Sequence, residues 1–136
     1  MKDPALMLVV EDSEEDSEAI LRALTRSHPL LRLEFLARSE AALPRLLDTT
    51  RPAPLLVLLD LNMPGRGGHG VLADIRARPE LAEVKVVVFT SSTAPAEVDA
   101  CYAAGADSYV YKPVNFELFQ TVLRGAVDYW LGAGAA

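Results

Sequence analysis

Three near-continuous runs of Leu and Val, at Leu6–Val10, Leu55–Leu59 and Val84–Phe89, constrain this chain more than any other feature. A strand that is apolar toward both faces has to be covered on both faces, as happens in the interior of a parallel sheet. Two further runs read as strands, Leu31–Ala37 and Ser108–Tyr111; the first alternates and suits a sheet edge. Between these runs lie five segments with helical spacing. Ser13 followed by Asp16 resembles a capping box and starts a helix whose inner face holds Ala19, Ile20, Ala23 and Leu24, with Pro29 just past its end. A second helix follows Ser39, shortened or kinked by Pro44 near its first turn. A third runs from about Gly70 to Ala77, ahead of Pro79. A fourth runs from about Ala96 to Ala104, capped by Gly105, and a fifth from about Phe116 to Leu131. Strand and helix alternating five times predict an α/β fold, a doubly wound (βα)5 sandwich with a five-stranded parallel sheet and right-handed crossovers. Residues 1–131 read as a single domain and 132–136 as a short flexible tail, with no output domain.

The balance of charge excludes some functions. The net charge is −6 and the 13 Lys and Arg residues are scattered, so no basic stripe offers itself to nucleic acid. One cysteine, Cys101, excludes an internal disulfide and suggests a reducing compartment. No apolar run approaches the roughly 18 residues of a membrane span. The expectation is a cytoplasmic protein with no nucleic-acid or membrane partner.

One motif invites a misreading. Gly65-Arg66-Gly67-Gly68-His69-Gly70 satisfies the dinucleotide-binding pattern G-x-G-x-x-G between a strand and a helix. That pattern needs its first glycine at the strand end and an acid at the end of the next strand. Here Asp60 to Pro64 intervene, and the next strand ends in Phe89 and Thr90. The glycines read instead as a surface loop entering a short helix.

The strand ends carry better chemistry, because the C-terminal ends of a doubly wound parallel sheet converge on one crevice. The first strand ends in Glu11 and Asp12, the third in Asp60 followed by Asn62, the fourth in Thr90, Ser91 and Ser92, and the fifth in Lys112 and Pro113. Clustered carboxylates repel and take up protons unless a cation joins them. A hard divalent ion with oxygen ligands answers that need, and the His and Cys that zinc favours are absent. With a cation in place, one carboxylate can attack a phosphoryl donor while Lys and hydroxyl hold the phosphoryl oxygens.

Glu11-Asp12, Asp60 in "DLNMPG", Thr90 in "FTSS" and Lys112-Pro113 in "YVYKP" resemble the signature of the receiver domain of two-component response regulators. The intervals agree, 30 residues from Asp60 to Thr90 (90 − 60) and 22 more to Lys112 (112 − 90). The resemblance spans about Ala5 to Leu131. It implies a sheet of order 2-1-3-4-5 and a phospho-accepting signalling protein rather than an enzyme. By the same resemblance Asp60 accepts the phosphoryl group, with Mg²⁺ (or Mn²⁺) held by Asp12, Asp60, the backbone carbonyl of Asn62 and, through water, Glu11. Thr90 and Lys112 would contact the phosphoryl group, and Asn62 and Ser92 would tune its lifetime. Tyr109 would change rotamer with Thr90, and the Lys112–Pro113 bond would be cis. Gly67-Gly68 stands where receivers often have Asp-Gly, which removes a cap from the third helix.

Two rivals share the general layout. A haloacid-dehalogenase-type phosphatase needs a second Asp two residues beyond the nucleophile, and this chain has Asn62 there. A flavodoxin-type carrier binds phosphate after the first strand, where this chain reads "EDSEEDSE". On the fifth helix, Phe116, Phe119, Leu123, Val127 and Trp130 share one face, and Leu118, Val122 and Tyr129 lie beside it. A stripe that wide suggests either a deeply packed helix or an interface that includes Phe119, Val122, Tyr129 and Trp130. "FELFQTVLRGAVDYWL" and "TSSTAPAEVDACY" resemble single-domain regulators paired with bacterial phytochrome kinases. That resemblance implies a sensor histidine kinase partner, a bacteriophytochrome among the candidates, and a homodimer.

Overall fold

The computed structural model describes residues 5–135, with side chains through residue 131. Five parallel strands, β1 (Leu6–Val10), β2 (Arg32–Leu36), β3 (Leu56–Leu59), β4 (Lys85–Thr90) and β5 (Ser108–Tyr111), form one sheet in the order β2-β1-β3-β4-β5. The apolar runs are the interior strands: every residue of β1 and β3 is buried, whereas the edge strands β2 and β5 are half-buried. Two apolar layers cover the sheet. Ile20, Ala23 and Leu24 of α1 (Glu14–Ser27) and Phe119, Leu123 and Val127 of α5 (Phe116–Ala135) pack on one face. On the other face lie Leu46 of α2 (Ala42–Leu47), Val71, Leu72 and Ile75 of α3 (Gly67–Arg76) and Cys101 of α4 (Pro95–Ala103).

The helix starts follow local chemistry, with one exception. The Ser13 hydroxyl accepts the Asp16 N–H at 3.2 Å and opens α1 as its spacing requires. Pro44 accompanies a short α2, preceded by a single 3-10 turn, Ser39–Ala41. Gly105, at φ +104°, ends α4 in a conformation that L side chains resist. The exception is α3, which begins at Gly67, ahead of the expected Gly70, although no side chain at its own N-terminus caps it. Its cap comes from elsewhere in the chain. The Ser39 hydroxyl accepts the Gly67 N–H at 3.3 Å, the Glu40 carboxylate accepts the Arg66 N–H at 3.3 Å, and the Leu61 carbonyl accepts the Gly68 N–H at 3.3 Å. The fifth helix continues to Ala135, beyond the expected end at Leu131. Alanine is the strongest helix former and glycine only weakens a helix, so "GAGA" does not stop one as proline would.

The interior strand order positions the site. Chain connections leave in opposite directions from β1 and β3, and the crevice above that reversal is where doubly wound sheets bind ligands. Glu11 and Asp12 follow β1, and Asp60 follows β3.

Candidate functional site

Glu11, Asp60 and Thr90 are buried polar residues, each at a strand end. The backbone holds them in place. The Glu11 N–H donates to Leu36 O at 3.0 Å, the Asp60 N–H to Val10 O at 3.1 Å, and the Lys112 N–H to Thr90 O at 2.7 Å. These extend the ladders one residue past each strand, so the functional side chains inherit the rigidity of the sheet. Glu11, Asp12, Asp60, Asn62, Ser91 and Lys112 line one cleft at this end of the molecule.

Carboxylate oxygens of Glu11, Asp12 and Asp60 lie within 4.8 Å of one another. Burial pushes the Glu11 carboxyl up to about 7, against the pull of Lys112 and the Ser13 N–H, and Asp60 pushes in the same direction as burial. Three acids in this space, all offering oxygen, make a donor set that fits a hard divalent cation. Lys112 reaches in from the end of β5, its Nζ donating to Glu11 Oε1 at 2.9 Å and to Asp16 Oδ2 at 2.8 Å, with Asp60 Oδ1 at 3.8 Å. Burial works against the ammonium charge, but Asp16, Glu11 and Asp60 outweigh it and hold Lys112 above the ordinary lysine range.

The Asp60 carboxylate is oriented by its own loop, since the Asn62 N–H donates to its Oδ1 at 3.2 Å. Thr90 is fully buried, and its Oγ1 accepts the Ser92 N–H at 3.3 Å and the Asn62 side-chain amide at 3.5 Å. Tyr109 is half-buried and packs against the α3 and α4 side of the core. Its hydroxyl donates to Ser92 O at 2.9 Å. The backbone of Ser92 therefore bridges Thr90 and Tyr109, a link that no pattern in the sequence indicates. On the outer edge of β5 the Tyr109 N–H donates to the Tyr102 hydroxyl at 3.0 Å, so α4 covers an otherwise free edge amide.

Several expectations need correction. The Lys112–Pro113 bond is trans, as are all peptide bonds among the described residues. An X–Pro bond favours trans by only about 0.5–1 kcal/mol, so tertiary contacts that the local sequence does not carry decide the isomer. Phe119 is not a surface residue: it is 4% exposed, with its ring 5.3 Å from that of Phe89. The apolar stripe of α5 is chiefly core because β4 and α1 cover it. Val122 and Trp130 are half-buried against the same core, and the Trp130 indole N–H donates to Ser108 Oγ at 2.8 Å. Of the residues assigned to an interface, Tyr129 alone is largely exposed, at 66%, with its ring edge-on to that of Trp130. The reciprocal capping box expected of Ser13 and Asp16 does not form. The N–H of Ser13 goes instead to Glu11 Oε2 at 3.1 Å, which leaves the Asp16 carboxylate for Lys112.

A sheet of this order, with acids, hydroxyl and lysine at these strand ends, defines a receiver-type fold. The sequence profile of the response regulator receiver domain matches residues 7–124. The chain belongs to that family. Among curated proteins it is 36% identical over 134 residues to the probable methanogenesis regulatory protein FilR2 of Methanothrix harundinacea, covering 96% of this chain and 86% of that one. It is 34% identical over 132 residues to the response regulator Rcp1 of Synechocystis, covering 94% of this chain and 90% of that one. Among solved structures, the phosphorylated cyanobacterial phytochrome response regulator RcpA superposes with a TM-score of 0.88 at 27% identity, over 95% of both chains. The Mn²⁺-bound form of Rcp1 does so with a TM-score of 0.86 at 34% identity, over 94% of this chain and 95% of that one. None of the helices among the described residues is long and apolar enough to cross a membrane.

Proposed function

We propose that this chain is a response regulator receiver that accepts a phosphoryl group on Asp60 from a sensor histidine kinase. The observation that carries the reading is the meeting of Glu11, Asp12, Asp60 and Lys112 in one cleft, with Thr90 beside it at the end of β4. In the transfer, an Asp60 carboxylate oxygen attacks phosphorus and forms the O–P bond. The N–P bond of the donor phosphohistidine breaks, and the imidazole leaves with its electron pair. The Lys112 ammonium and the Thr90 hydroxyl would bind the phosphoryl oxygens, whose charge grows as the bond to the donor lengthens. A divalent cation, Mg²⁺ or Mn²⁺, would be held by Asp12, Asp60, the Asn62 backbone carbonyl and, through water, Glu11, and it would neutralise the charge gathered there. Ser92 lies outside the cleft lining, with its hydroxyl accepting the Ala94 N–H, whereas Asn62 lines the cleft and would govern how water reaches the acyl phosphate. Its slow hydrolysis would be the only turnover, which makes the protein a switch rather than an enzyme.

Incubation with Mg²⁺ and acetyl phosphate, followed by intact-mass measurement, tests this reading. Wild type should gain one phosphoryl group and Asp60→Asn none; equal gain by both would remove Asp60 from the role.

Readout would run from Thr90 through the Ser92 backbone to Tyr109 and on to the face formed by α4, β5 and α5. That face exposes Tyr102, Tyr111, Leu118 and Tyr129. A phytochrome-type sensor kinase, a bacteriophytochrome among the candidates, is supported by the likeness to the cyanobacterial phytochrome response regulator RcpA, and a homodimer would form on this exposed face. Tyr129→Glu is the cleaner probe of the dimer than a change at Trp130, whose indole is tied to Ser108. If self-association uses this face, Tyr129→Glu should elute later than wild type from size exclusion, and an unchanged volume would count against it.

A further inference from the structure

We propose that Asp16 is a positioning residue that holds Lys112 away from the acceptor carboxylate, so that phosphoryl arrival on Asp60 must break the Lys112–Asp16 ion pair. The inference rests on the reading of Asp60 as acceptor. It begins with three distances from one nitrogen. Lys112 Nζ is 2.8 Å from Asp16 Oδ2 and 2.9 Å from Glu11 Oε1, but 3.8 Å from Asp60 Oδ1. The first two are charge-assisted hydrogen bonds and the third is not a hydrogen bond. The lysine that should serve the phosphoryl group is thus committed elsewhere.

The geometry makes Asp16 the persistent competitor. The Glu11 oxygens belong to the cluster with Asp12 and Asp60 that a cation would draw together, and Asp16 lies outside that cluster. Asp16 is fixed in the first turn of α1 by the Ser13 hydroxyl on its backbone N–H. Its carboxylate is free to face the cleft because Glu11 has taken the Ser13 N–H. Among the described residues lining the cleft, Lys112 is also the only lysine or arginine, against the acids Glu11, Asp12, Glu15, Asp16 and Asp60. A dianionic donor entering this field has one ammonium to meet, and Asp16 holds it.

In the step that Asp16 restrains, an Asp60 oxygen bonds to phosphorus of acetyl phosphate, the P–O bond to the acetyl group breaks, and acetate leaves with the electron pair. Asp16 touches none of the reacting atoms and acts through Lys112. Asp16→Asn removes its charge while keeping its size, and should raise the rate of phosphoryl uptake roughly three- to fivefold, the factor that a partly exposed ion pair carries. Asp16→Glu, which keeps the charge on the same turn, should return the rate toward wild type. Glu15→Gln is the decisive comparison: it removes the same charge from the same cleft, and Glu15 makes no hydrogen bond to Lys112. It should change the rate by less than twofold.

Uptake is followed by intact mass with acetyl phosphate and Mg²⁺, with a thermal melt confirming that each variant is folded. Faster uptake by Asp16→Asn alone supports the role. Equal acceleration by Glu15→Gln would assign the effect to the general field and overturn it, as would an Asp16→Asn rate at or below wild type. Wild type that takes up nothing overturns the acceptor reading itself, and this inference with it.

Discussion

Substituting alanine for glycine at two helical positions should move stability in opposite directions. Gly68 lies in the first turn of α3, directly over the peptide that follows Asp60. A Cβ built on Gly68 would meet Asp60 O at 2.3 Å and Leu61 Cα at 2.5 Å, both backbone atoms that cannot rotate aside. An ordinary contact is near 3.4 Å, so the overlap is about 1 Å on each. The Gly68 N–H also donates to Leu61 O, so helix and strand end are tied at the point of overlap. Relief requires α3 to back away or the Asp60–Leu61 peptide to move. Overpacking of this kind costs about 1–3 kcal/mol, against about 0.5–1 kcal/mol regained because alanine favours helix over glycine. The net loss of about 1–2 kcal/mol should lower Tm by roughly 4–8 °C in a domain of this size. It should also slow phosphoryl uptake, because the displaced peptide carries Asp60, the proposed acceptor. Gly125, exposed on α5 with nothing within 4 Å of its Cβ position, supplies the control. Gly125→Ala should stabilise by about 0.5–1 kcal/mol and leave uptake unchanged. Calorimetry and intact-mass kinetics on both variants decide the matter. Gly68→Ala at wild-type stability and rate would show that the contact between α3 and the end of β3 is not a constraint.

Two other predictions concern charge. Arg45 is buried, its guanidinium bonded to both carboxylate oxygens of Glu34 at 2.6 and 3.1 Å and to Pro52 O at 2.8 Å. Arg45→Met should cost about 2 kcal/mol in urea unfolding, less than a fully buried pair would, because Arg51 still holds Glu34 at 3.0 Å. Arg45 holds the Glu34 carboxyl below its ordinary value, so this contribution is present above that value and fades as pH falls through the lowered one. The gap between wild type and Arg45→Met should narrow in acid; a gap independent of pH would argue for packing alone. Glu11 has the opposite sign. Its folded carboxyl titrates at about 7 rather than 4.5, so it favours the folded state at low pH and loses that contribution as pH rises through about 7. In chelator, Glu11→Gln should become more stable relative to wild type between about pH 5 and about pH 8. A constant difference would mean that Glu11 is not held protonated by burial.

Much of the site was legible because it depends on strand ends. Apolar runs mark interior strands, a doubly wound sheet gathers their C-terminal ends, and Glu11, Asp12, Asp60, Thr90 and Lys112 follow from that placement. The glycine motif lacks the sequence context of a dinucleotide loop, and for Gly68 the structure adds a separate reason for glycine, the close approach of α3 to Asp60. What stayed hidden involves partners brought together by packing. Lys112 and Asp16 are 96 residues apart, and Ser39 caps a helix 28 residues away. No local spacing records such pairs.

The fifth helix shows the same division. Its periodicity established a wide apolar face, yet whether Phe119 meets Phe89 or a partner depends on where β4 and α1 lie. The sequence by itself determined which elements form, which of them are interior and which reactive groups stand at their ends, because period and composition act along the chain. Tertiary structure alone decided which acid holds Lys112, which backbone bridges Thr90 to Tyr109 and which aromatic is core, because those outcomes depend on contacts across it.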